Sequence, residues 1–63
     1  MFTTRAWANR KFKFAAGNIQ QAEDHIIEVA KEYELSYPKE YESMCVLLVV
    51  LKTARELTES MHV

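Results

Sequence analysis

The residues with chemical potential are two histidines, one cysteine and a set of paired acids. His25 and Glu28 stand three apart, and Glu59 and His62 form a Glu-x-x-His pair. That spacing supplies ligands in di-iron helical bundles, where several carboxylates converge from facing helices. Here His25 faces away from the apolar seam of its helix. His62 falls beyond the start of a first helix that begins at Asn18, far from His25 and Glu28. Both histidines are therefore expected on the solvated surface, with no metal and no cofactor. Cys45 lies inside an apolar run, whereas a nucleophilic thiol needs an electropositive, partly exposed setting. It is expected to be buried and structural. Asp24 with Glu28, Glu28 with Glu32, and Glu56 with Glu59 lie on charged helix faces. Acid catalysis needs a carboxyl in a pocket that shifts its pKa, so these read as a solvated acidic ridge. With no glycine-rich phosphate loop and no zinc spacing, the chain is not expected to be an enzyme.

The amino-terminal segment carries a different chemistry. Phe2, Trp7, Phe12 and Phe14 are interleaved with Arg5, Arg10, Lys11 and Lys13. Aromatic and arginine side chains dominate the energetics of protein interfaces, so Trp7, Arg10, Lys11, Phe12 and Phe14 are the expected protein-binding residues. The alternative is nucleic acid, bound by stacking aromatics beside cations, with Arg5, Arg10, Lys11 and Lys13 as its contacts. The four bases do not share one helical face, and a net charge of -1 is a weak footprint for a nucleic-acid binder.

The elements that position these groups follow from apolar spacing. Residues 18–34 form the clearest helix, with Asn18 and Gln21 in a capping-box pattern after a break at Gly17. Glu23 and Asp24 then fall in its first two turns, where the helix dipole favours acids. Ile19, Ala22, Ile26, Val29, Ala30 and Tyr33 share one face. Residues 35–37 are the loop, and Pro38 suits the first turn of a second helix over 38–61. Ser36 is chemically the better cap, Tyr37 the other candidate. A loop this short makes the helices antiparallel neighbours. Residues 2–16 read as a helix capped by Thr3 or Thr4, or as an extended arm, since Lys11 to Phe14 alternate with period two.

Met44 to Leu51 are eight apolar residues in a row. Two stripes overlap there. Tyr37, Tyr41, Met44, Leu48 and Leu51 form one; Leu47, Val50, Ala54, Leu57 and Met61 form the other, roughly 120° away at 100° per residue. A helix apolar on all sides should touch at least two other elements. One helix partner covers only one stripe. The amino-terminal segment closing a three-helix monomer, a second copy, or a foreign partner must cover the rest.

Length and composition set the frame. A chain of 63 residues makes one small domain near the lower limit for folding alone. Its single cysteine forbids an internal disulfide and favours a reducing compartment. The apolar run is too short to span a membrane, and the amino terminus has no secretory pattern, so a cytoplasmic location is expected. The expected fold is all-α: an antiparallel helical hairpin with an N-terminal helix or arm, dimerising into a four-helix bundle. Met44, Leu47, Val50, Leu51, Ala54, Leu57 and Met61 would form the core and dimer contacts. The expected function is a non-enzymatic protein-interaction module that regulates, inhibits or adapts a larger protein.

Overall fold

The computed structural model describes residues 4–63, which form two helices packed antiparallel, α1 (Arg5–Tyr33) and α2 (Pro38–Glu59). Phe2 and Thr3, singled out above, lie outside the described residues. The hairpin is a rod of 51 × 15 × 14 Å.

α1 corrects the expected break at Gly17. The helix runs unbroken through Gly17 and Asn18, and its cap is Thr4, whose hydroxyl accepts from the backbone N–H of Trp7 at 3.1 Å. A lone glycine costs a helix only about 1 kcal/mol, and the packing on either side outweighs that. Phe12, Ala16, Ile19, Glu23, Ile26 and Ala30 all face α2, spaced four and three along the helix. The segment read as helix or arm is thus the first half of α1. A three-helix monomer is not what the chain forms.

The turn spans 34–36, where Tyr37 N–H donates to the Tyr33 carbonyl at 3.0 Å and the two rings stack at 4.9 Å. Tyr37, not Ser36, stands at the cap of α2, and no side chain caps it. Pro38 follows as expected, removing one N–H that would otherwise need a partner. α2 ends at Glu59, two residues earlier than expected. Ser60 closes it, its hydroxyl donating to the Leu57 carbonyl at 2.7 Å. Val63 then returns to α1, exchanging two hydrogen bonds with the Asn9 side chain at 2.9 and 3.2 Å.

The seam between the helices is narrow. α2 contributes Tyr41, Met44, Leu48, Leu51, Arg55 and Thr58, again spaced three and four. This is the antiparallel coiled-coil period, in which every third or fourth residue meets the facing helix. Among the described residues only Ala16, Ala30 and Glu23 are buried.

Candidate interaction surface

The centre of the seam is an ion pair. Arg55 Nε donates to both carboxylate oxygens of Glu23, at 3.2 and 3.0 Å, and Nη1 donates to Glu59 at 3.2 Å. The hydrogen bond to Glu23 raises the already high Arg55 pKa further. Glu23 does not lie in the first two turns of its helix. Because α1 starts thirteen residues before Asn18, Glu23 sits mid-helix at 8% exposure. A buried carboxylate needs this partner, and the pair ties the two helices together at mid-seam.

Around the seam the hairpin has two unlike broad sides. Ile27, Lys31, Cys45 and Tyr41 line one groove together with Ala30 and Leu48. On a wheel of 100° per residue, that side also takes Lys13, Gln20, Lys52 and Glu56, so it is largely polar. Cys45 is exposed there, which corrects the expectation of a buried thiol: it falls beside the seam rather than in it. Tyr41 lines this groove beside Cys45, and the neighbouring Cys45 side chain raises the Tyr41 pKa above its ordinary value, with Glu34 adding to the effect.

The other broad side is apolar along its middle, with Lys11 and Glu40 at the same angles nearer its ends. The same wheel places Ala15, Ala22 and Val29 of α1 beside Leu47, Val50, Ala54 and Leu57 of α2. None of these seven side chains is charged. Ala54 is half-buried at the seam edge, but Leu47, Val50 and Leu57 are 42, 57 and 65% exposed. Val46 flanks the stripe and is also exposed. The residues expected to form one core and dimer set therefore separate. Met44 and Leu51 face α1, and Leu47, Val50 and Leu57 face outward. Met61 lies past the end of α2, lining a groove with Phe12, Ala16 and His62. Among the described residues the apolar run touches one other element, α1.

The aromatic and basic residues of the first half of α1 also divide. Trp7, Arg10, Lys11 and Phe14 fall within roughly 100° on the wheel, at the rim of the apolar side. The Lys11 ammonium lies 5.8 Å from the Trp7 ring, in cation–π range, and Phe14 is exposed. Phe12 does not join them: it is half-buried in the seam. Arg5 and Lys13 point to other sides of the helix, so the four bases proposed for nucleic acid form no single stripe. His25 is exposed and lies 3.9 Å from Glu28. His62 lies beside Asn9 and Lys13 because α1 extends further than expected.

The seam ion pair is the feature that apolar spacing alone misses. Its signal is present in the sequence. Each helix has one charged residue at an otherwise small or apolar seam position, Glu23 on α1 and Arg55 on α2, and the charges are opposite. No described helix is long and apolar enough to cross a membrane. Comparison with family models, curated proteins and solved structures finds no match.

Proposed function

We propose that this chain is a non-enzymatic protein-interaction module, a regulator or adaptor of a larger protein, whose working form is a dimer of hairpins joined as a four-helix bundle. The observation that carries the reading is the uncharged stripe of Leu47, Val50 and Leu57, left exposed by a hairpin that covers only the other face of α2. Its spacing repeats that of the seam, so it suits a second helical pair.

The surface area supports the same reading. The chain exposes 5341 Å², against roughly 4,200 Å² for a compact monomer of this mass by the usual scaling. The excess belongs to an elongated rod of two helices, and pairing along its apolar side would reduce it. The rim stripe of Trp7, Arg10, Lys11 and Phe14 is the surface assigned to the larger partner, since exposed aromatics beside Arg are the usual anchors. The divergence of Arg5 and Lys13 from that stripe favours a protein over nucleic acid.

The test pairs two variants. Trp7→Ala with Phe14→Ala should abolish capture of the protein partner, while Arg10→Gln with Lys11→Gln and Lys13→Gln should only slow its association. Recovery of nucleic acid instead, lost with the basic triple and falling steeply with salt, would sink the reading.

A further inference from the structure

The hairpin is electrically lopsided along its length. The end that holds residues 4–21 and 53–63 carries five bases and two acids, a net of +3. The turn end, residues 22–52, carries three bases and seven acids, a net of -4. The folded chain is thus a rod, 51 Å long, with opposite charge at its two ends.

The exposed stripe has a second property. Leu47, Val50, Ala54 and Leu57 are spaced three, four and three, which reads the same in both directions. Turned end for end about a point near residue 52, the stripe lies on a copy of itself.

We infer that the second copy docks on this apolar side head to tail, with the two turns at opposite ends of the bundle and the two-fold axis crossing the helices near Lys52 and Gln21. This rests on the pairing proposed above and adds its direction. In that arrangement Leu47 meets the partner's Leu57, and Val50 meets the partner's Ala54. α1 lies along the partner's α1 in the opposite sense. Each positive end covers a negative one.

The other closed arrangement has both turns at one end. It buries the same stripe but stacks the two +3 ends together and the two -4 ends together. Like charge at both ends disfavours that arrangement, and opposite charge favours the head-to-tail one. The orientation is therefore selected by end charge, while the apolar stripe supplies the attraction.

A spin label at the turn reads the direction directly. Ser36 is exposed and outside both helices, so Ser36→Cys in a Cys45→Ser background reports without touching the interface. Head-to-tail pairing places the two labels about one rod length apart, 51 Å. Pairing with the turns together places them within about 20 Å, two helix diameters, and would overturn the inference while leaving the dimer intact. A mass of 7.4 kDa with no intermolecular distance would overturn both the inference and the pairing it rests on. Non-reducing electrophoresis of the unlabelled variant gives a second reading. Slow disulfide formation between the two introduced thiols is expected head to tail, and rapid formation would contradict it.

Discussion

The two apolar stripes of α2 share a spacing and differ in what they carry. The stripe that faces α1, Tyr41, Met44, Leu48, Leu51, Arg55 and Thr58, is interrupted by a charge with a partner on the opposite helix. The outward stripe of Leu47, Val50, Ala54 and Leu57 holds no charge and is mostly exposed. A polar group in a helical seam gives up some stability and fixes register. The intrachain seam has such a group, Arg55 with Glu23. The outward stripe has none, and in the proposed pairing the charge asymmetry at the rod ends supplies direction instead. One stripe is specified from within, the other from its ends.

The sharpest way to break this contrast is to charge each stripe in turn. Leu57→Lys on the outward stripe should dissociate the dimer, weakening association at least about a hundredfold by sedimentation, because it sets a cation into an apolar contact. If Leu57 were simply solvated, the same change would be within about 0.5 kcal/mol of neutral. On the inner stripe, Arg55→Leu leaves the Glu23 carboxylate without its main partner. An orphaned buried acceptor costs about 1–3 kcal/mol, and urea unfolding should show a loss of that order. The double change Glu23→Leu with Arg55→Leu should recover most of it, since an apolar pair can replace a buried ion pair at little cost. A double variant as unstable as the single one would show that the pair does more than neutralise itself.

Gly17 separates packing from propensity. A Cβ there would meet nothing within 4 Å, so Gly17→Ala should stabilise the protein by about 1 kcal/mol. Destabilisation would mean that another element approaches this glycine in the assembled protein.

The smallest effect concerns pH. The Cys45 contact raises the Tyr41 pKa in the folded state, so the folded chain holds this proton more tightly than the unfolded one. The associated stability is complete below the ordinary tyrosine value of 10.0 and is lost as pH rises through the folded value. Ultraviolet titration should show the Tyr41 component moving down in Cys45→Ala and vanishing in Tyr41→Phe.

Much of the fold is legible in the residues. The short turn around Pro38 and the paired spacing on either side dictate an antiparallel hairpin, and the second stripe is visible as overlap within Met44–Leu51. What misleads is local chemistry read without its tertiary context. Gly17 followed by Asn18 has the form of a helix start, yet Phe12, Ala16 and Ile19 pack across it and carry the helix through. The same error hides the centre of the seam. Glu23 looks like an acid of the first two turns only while the helix is taken to begin at Asn18. Cys45 looks buried because its neighbours are apolar, but its angle on the wheel turns it to the polar side. At the candidate surface, Trp7, Arg10, Lys11 and Phe14 share a stripe, and Phe12 is drawn into the seam by its phase with Ile19 and Ile26.

The central claim is that this hairpin completes its fold on a second copy. The direct measurement is urea unfolding by circular dichroism over about a hundredfold range of protein concentration, with the mass followed by sedimentation equilibrium. A dimer that folds as it assembles gives a mass twice 7.4 kDa and a midpoint that rises with concentration. A mass of 7.4 kDa with a cooperative midpoint independent of concentration would contradict it, and would mean that the apolar side is stable facing water.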